Sequence, residues 1–215
     1  MTELEYKRGE IIAYRHYDKQ GNVVKEDKRK WGDFYYEGIF FNGNISAKGT
    51  YGKDDHQGEW KYYNVNGFLE KEVPYEDGKE NGAFKEYFAN GEIETITPYK
   101  DGEKDGYYQD RFIKGNLFCQ GYYKEDGHEG VWKTYYKDST LKYKNYYLEG
   151  KKHGIQKQYA VNGKLSFIFE YINGIYTRLV SFDSSGNVIN DIKLPNGTGK
   201  MQKHYSRDGD RKSVV

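Results

Sequence analysis

Glycine stands at positions 58, 82, 106, 130 and 154, and this constant step of 24 residues constrains the fold more than any other feature of the chain. Other residue types keep step with it. Trp60, Phe84, Tyr108 and Trp132 stand two places after the glycine, and Tyr63, Tyr87, Tyr135 and Tyr159 stand five places after. Asn66-Gly67, Asn90-Gly91 and Asn162-Gly163 stand at offsets eight and nine. Leu69, Ile93, Leu117, Leu141 and Leu165 follow at eleven, and Tyr75, Tyr99, Tyr123, Tyr147 and Tyr171 at seventeen. A period of this size marks a repeat architecture, in which one supersecondary unit per period buries its apolar face only against its neighbours.

Each unit reads as a β-hairpin. Asn-Gly between two aromatic or β-rich runs is a strong short hairpin signal, because both residues tolerate positive φ. A second turn joins successive units: DGKENG at 77–82, DGEKDG at 101–106 and EGKKHG at 149–154. Proline occurs only three times in the chain, as ladder hydrogen bonding requires. Pro74 and Pro98 hold equivalent places just before the tyrosine at offset seventeen, where an unpaired or bulged position is expected.

Two registers are open. A two-residue Asn-Gly turn sets offset zero opposite offset seventeen. It also puts Trp60, Leu69 and Tyr75 on one face and the tyrosine at offset five on the other, beside Lys61, Lys85, Lys133 and Lys157. A three-residue turn with a bulge instead groups Tyr63 with Leu69 and Tyr75. A slip of one residue moves every side chain to the opposite face, so the pattern alone does not choose.

The composition agrees with a thin structure. Mean hydropathy is −1.05 and apolar residues make up 36%, yet there are 24 Tyr and 11 Phe. Tyrosine suits a sheet without a deep core, because its ring packs while its hydroxyl stays wet. No window shows helical periodicity, so the expected fold is all-β: an elongated single antiparallel sheet of stacked hairpins, an open-ended solenoid-like ribbon. Residues 1–33 read as a degenerate N-terminal hairpin or cap, with KEDKRK (25–30) as a charged loop. Six in-phase units starting at 34, 58, 82, 106, 130 and 154 fill 34–177. Degenerate hairpins or a cap fill 178–215, including a strand MQKHY and a turn RDGD after Gly199.

A formal net charge of +1 gives no global pull toward nucleic acid or an acidic membrane. Cys119 is the single cysteine, so no internal disulfide forms. No apolar run is long enough to span a bilayer, and the N-terminus does not read as a signal peptide. If Met1 is native, a cytoplasmic location is expected.

The pattern Gly-x-aromatic-x-x-Tyr-x-x-Asn-Gly-x-Leu, then Tyr, then Asp-Gly-Lys-x-x-Gly resembles the MORN repeat, and more closely the variant found in bacterial YwqK-type antitoxins. Gly82, Phe84, Tyr87, Asn90, Gly91, Ile93, Tyr99, Asp101, Gly102 and Gly106 carry the match, with their equivalents in adjacent units. It spans residues 34–177. Arg111 departs from the tyrosine at offset five, Gln156 from the ring at offset two and Ser139 from the turn glycine. The resemblance implies stacked hairpins that bind other proteins and, for antitoxin-type members, neutralisation of a cognate toxin or effector.

No catalytic constellation, metal site or cofactor motif stands out. His56, His128 and His153 fall in inter-unit turns, as polar turn residues would. Cys119 reads as a small ladder side chain, and the glycines form no phosphate loop. The lysines at offset three, broken by Gln109, read either as a solvated stripe that keeps an open sheet soluble or as a rail for an acidic partner. The rings at offsets two and five are the candidate protein-contact residues, since Tyr and Trp are enriched at interface hot spots. The partner-binding set is Trp60, Tyr63, Phe84, Tyr87, Tyr108, Arg111, Trp132 and Tyr135. Arg111 joins it because unit 106–129 is the most altered. A protein-binding immunity module is the leading expectation. A cell-wall carbohydrate binder and a membrane-associated scaffold are the competing ones. The expected partner is a protein, with no nucleic acid and no membrane. The open sheet edges allow end-to-end self-association.

Overall fold

The computed structural model describes residues 1–29, 32–52 and 55–197. Strands β1 (Thr2–Lys7), β2 (Glu10–Tyr17) and β3 (Val23–Lys28) form a three-stranded antiparallel sheet in that order. A second, long sheet begins with β4 (Phe34–Ile39) and β5 (Ile45–Tyr51), then β6 (His56–Tyr63) and β7 (Leu69–Glu76). It continues through β8 (Lys79–Glu80), β9 (Gly82–Tyr87), β10 (Ile93–Lys100), β11 (Glu103–Lys104), β12 (Gly106–Arg111), β13 (Leu117–Lys124), β14 (Gly127–Tyr135) and β15 (Leu141–Leu148). It ends with β16 (Lys151–Lys152), β17 (Gly154–Tyr159), β18 (Leu165–Ile172), β19 (Ile175–Phe182) and β20 (Val188–Lys193). The sheet is all antiparallel and open: among the described residues no register joins β20 back to β4. The only helical piece described is a 3₁₀ turn at Pro195–Gly197. The strand and turn expected after Gly199 lie outside the described residues.

Both candidate registers turn out to be half right. Gly58 pairs with Tyr75, Trp60 with Val73 and Lys61 with Glu72, as offset zero opposite seventeen requires. A bulge between Tyr62 and Tyr63 then brings Tyr63 opposite Leu69. The loop itself has three residues. Asn64 N–H donates to Phe68 O, Gly67 N–H donates to Asn64 O, and Gly67 takes a φ of 86°. That is the hairpin loop in which a turn is followed by one left-handed residue. Asn66 is not left-handed, so the Asn-Gly pair does not form a primed two-residue turn. Its asparagine is used otherwise: side chains at this loop accept backbone N–H bonds, as Asn90 does from Glu92 and Asn162 from Lys164. The primed turns lie between units, where Asp77-Gly78 and Asp101-Gly102 both have positive φ.

The ends follow the same plan with a shortened step. Aligned on the loop glycines Gly21 and Gly186, further units begin at Ile12 and Thr177 and place Tyr14 and Leu179 at offset two. Both are buried, at 2% and 3% exposure. The charge run expected as a loop is therefore mostly strand β3. The first sheet continues the stack through side chains: the Tyr14 ring lies 5.7 Å from Phe34 and 5.1 Å from Tyr36. His16 Nε2 lies 2.8 Å from Glu37 O, and Lys25 pairs with the Glu37 carboxylate.

Candidate binding surfaces

Strand alternation sorts the repeat into two faces. Offsets zero, two, fifteen and seventeen make a ring face. Trp60 is 1% exposed and stacks between Tyr36 and Tyr62, with centroids at 6.0 and 6.1 Å. Its indole N–H donates to Thr50 O at 2.9 Å. Trp132 repeats this arrangement against Tyr108 at 5.5 Å and donates to Tyr122 O at 3.1 Å. Each indole covers a glycine of the preceding unit, Gly49 or Gly121, where any Cβ would fall inside the ring. These two glycines have ordinary φ; they are glycine for space.

Two histidines complete the ring clusters. His56 lies 4.3 Å from Trp60 and 4.9 Å from both Tyr51 and Tyr75. His128 lies 4.0 Å from Trp132, 5.1 Å from Tyr123 and 4.8 Å from Tyr147. Burial lowers the pKa of both, and of His16. They are packing residues at the ring face, a role the turn assignment missed. His153, by contrast, bonds Asn173 Oδ1 at 3.1 Å. Gln156, where a ring was absent from the pattern, is 2% exposed and takes over the indole's role. Its Nε2 donates to Tyr146 O at 3.0 Å, and its Oε1 accepts from Tyr146 N at 2.9 Å.

The opposite face carries offsets one, three, five, fourteen and sixteen. Here directly paired residues form one row across the sheet: Glu37, Lys48, Lys61, Glu72, Lys85, Ile96, Gln109, Gln120, Lys133, Lys144, Lys157, Ile168, Val180, Asp191. Glu72 is nearly buried and receives Lys61 at 2.8 Å, Lys85 at 3.2 Å and the Tyr87 hydroxyl at 2.7 Å. Burial alone would raise its pKa; the three donors outweigh this and hold it at about 2. Burial and the same bond push Tyr87 up to about 12.

The eight residues expected to contact a partner do not form one surface. Trp60, Phe84, Tyr108 and Trp132 line the ring face; Tyr63, Tyr87, Tyr135 and Arg111 belong to the other. Trp60 and Trp132 are too buried, at 1% and 6%, to meet a partner in this arrangement, and their role is to hold units together. Arg111 is spent locally, donating to Gly115 O and Gln109 Oε1, both at 3.2 Å. Tyr135 hydroxyl accepts from Gln120 Nε2 at 2.7 Å. The exposed rings were missed because they stand at offsets one and sixteen: Tyr107, Tyr122 and Tyr146, with Val131 and Ile155. Their signal was available as the one stretch of the repeat where those offsets are apolar in successive units. Among the described residues no group of three or more His, Cys, Asp or Glu could hold a metal ion. Burial raises the pKa of the Cys119 thiol, whose partner is the Thr134 hydroxyl.

No curated protein matches this sequence. The MORN repeat variant model matches residues 80–101, 129–151 and 152–173. These are the hairpins that start at Gly82, Gly130 and Gly154, and the units that start at Phe34, Gly58 and Gly106 share their registers. The chain carries MORN-variant repeats.

Proposed function

We propose that this chain is a protein-binding repeat module and that it serves as an immunity protein, neutralising a bacterial toxin by occluding it. The observation that carries the binding reading is the second face. A pre-ordered sheet leaves Tyr107, Tyr122, Val131 and Ile155 between 43% and 52% exposed side by side. Rings and branched chains fixed by backbone pairing lose little entropy on association. The half-exposed Cys119 has its thiol pKa raised by burial, which disfavours the thiolate, and His56 and His128 are packed among rings. The immunity reading rests on the resemblance of the repeat to antitoxin-type members.

The test is co-expression of the full chain with the protein encoded beside it. Recovery of a stoichiometric complex together with rescue of growth supports both parts. A complex without rescue leaves the binding module and removes the immunity role. Absence of any complex removes both.

A further inference from the structure

We infer that the second face of the C-terminal half, from β12 to β17, is a docking surface for an acidic amphipathic helix of a protein partner. The inference rests on the protein-binding reading and narrows it to one surface and one partner chemistry.

The row across this face has the same backbone in both halves but a mixed charge pattern in one and a cationic pattern in the other. Near the N-terminal end acids interrupt it, Glu37 beside Lys48 and Glu72 between Lys61 and Lys85, and Glu72 neutralises Lys61 and Lys85 at 2.8 and 3.2 Å. Near the C-terminal end Lys133 pairs directly with Lys144, and Lys144 with Lys157. Among the described residues no carboxylate forms an ion pair with any of the three. Like charges directly opposed across strands destabilise a sheet. Three in succession, with no internal acid, are a feature that folding does not require.

The flanking positions differ in the same way. Two residues along each strand, on the same face, Glu59, Pro74 and Ala83 stand beside Lys61, Glu72 and Lys85, with the exposed Tyr35 at the far end beside Glu37. The C-terminal half places Tyr122, Val131, Tyr146 and Ile155, all 39% exposed or more. A cationic line therefore runs beside an apolar line, both perpendicular to the strands. The complementary occupant has carboxylates along one edge and apolar side chains along the next.

Spacing selects a helix. Adjacent strands lie about 4.8 Å apart, so the lysines repeat at that interval. Carboxylates one helical turn apart repeat at about 5.4 Å, a mismatch that lysine side chains absorb over three positions. Same-side residues of an extended segment repeat at about 6.7 Å and fall out of step. An anionic membrane is the weaker fit. Three lysines give only a modest attraction to such a surface, and Glu170 stands beside Ile155 in the apolar line.

The test titrates the full chain with a synthetic helical peptide of about four turns, with Glu at every fourth position and Leu three places after each. Vesicles of mixed neutral and anionic phospholipid form a parallel arm. The central variant is Lys144→Glu, which rebuilds the arrangement seen around Glu72. It is expected to raise Tm by ~2 °C while weakening the peptide about tenfold. Tyr146→Ser is expected to weaken it comparably, and Lys114→Glu, which makes the same charge change in an exposed loop, to leave it unaltered. Binding is also expected to fall as salt is raised. Unaltered peptide affinity in Lys144→Glu overturns the inference, as does binding to vesicles but not to peptide. If Lys144→Glu still captures the partner found by co-expression, the protein-binding reading stands and this surface is not its seat. If co-expression yields no complex, the reading itself fails whatever the peptide does.

Discussion

The junctions leading into Gly58 and Gly130 and those leading into Gly82 and Gly106 solve one problem in two ways. At each junction the carbonyl at offset sixteen of the preceding unit needs a donor. At the first pair an indole supplies it: Trp60 to Thr50 O and Trp132 to Tyr122 O. The strand then runs unbroken through the leading glycine, at a φ of 66° or 64°. At the second pair a backbone N–H supplies it, Asn81 to Pro74 O at 2.9 Å and Asp105 to Pro98 O at 3.1 Å. The strand is split into β8 and β9 or β11 and β12, and the leading glycine opens to 118° or 126°. Proline fits there because it brings no N–H of its own to satisfy. The junction into Gly154 combines both devices: Tyr146 O accepts from Gln156 Nε2 and from His153 N. The difference teaches that the period fixes the backbone plan while the joint between units is a local choice. That choice is made by one pair of positions, offset fifteen and the next unit's offset two.

The sharpest way to break the comparison is to fill the space beneath an indole. Gly121→Ala places a Cβ 2.1 Å from the Trp132 ring, so the buried indole or the backbone must shift. The expected loss is about 3 kcal/mol, read by denaturant unfolding followed on tryptophan fluorescence. Thr97→Ala, at the same offset of a proline junction, is expected to lose only about 1 kcal/mol. Equal losses at the two sites would show that the indole joint is not special.

The second test converts one joint into another. Gln156→Trp alone sets an indole over Asn145, its cross-unit neighbour at offset fifteen, and should destabilise. Adding Asn145→Gly provides the space that Gly49 and Gly121 provide elsewhere. The pair is expected to recover about 2 kcal/mol relative to the sum of the single changes. Strict additivity in a double-mutant cycle would sink the pairing rule.

That rule is legible in the sequence. Gly49 precedes Trp60, and Gly121 precedes Trp132, at a fixed distance of eleven residues, whereas Val73 and Thr97 precede Phe84 and Tyr108. The step of 24 was enough for the hairpins, the open sheet and the pairing of Gly58 with Tyr75. It left the turn open between two and three residues, because Asn-Gly suits a primed turn and the loop actually formed equally well. Nor did it reach the ends, where a unit shortened by one or two residues falls out of phase although Tyr14 and Leu179 keep their buried place. The row of Lys133, Lys144 and Lys157 needed the register: its members come from both strands of a unit, and only pairing shows that they are neighbours.

Acid should act on the indole joints before it reaches the others. His56 and His128 have their pKa lowered by burial, with Lys104 adding to the effect at His128 and Asp55 opposing it at His56. Folding therefore favours their neutral forms. The stability they contribute is present above the unfolded value of about 6.5 and is lost as pH falls from there toward the folded value. Hydrogen exchange across β6 and β14 should accelerate over that window while β9 and β12 change little. His56→Phe and His128→Phe should flatten the response. Glu72 adds a separate loss at lower pH: its carboxylate, held at about 2, stops stabilising the fold as pH drops from the ordinary glutamate range toward that value.

The smallest effect belongs to the proline joints. Pro98→Ala removes a ring that an added Cβ on Gly106 would meet at 2.9 Å, and it introduces an N–H at a place the ladder skips. The pairing of β10 with β12 covers Thr95 and Ile96, and the pairing of β10 with β11 begins at Tyr99, so residue 98 lies where the two pairings meet and its new N–H turns to the side on which its carbonyl accepts from Asp105. Pro98 is partly exposed, so water can serve the new donor, and desolvation stays small. The larger part of the change lies in the unfolded chain, which gains backbone freedom when proline is lost. Together these give an expected destabilisation of about 0.5–1 kcal/mol. The Asp105 N–H bond to the carbonyl of residue 98 should persist, with its exchange only modestly faster. A loss as large as that of Gly121→Ala would mean that proline is a clamp in its own right rather than a residue tolerated where no donor is needed.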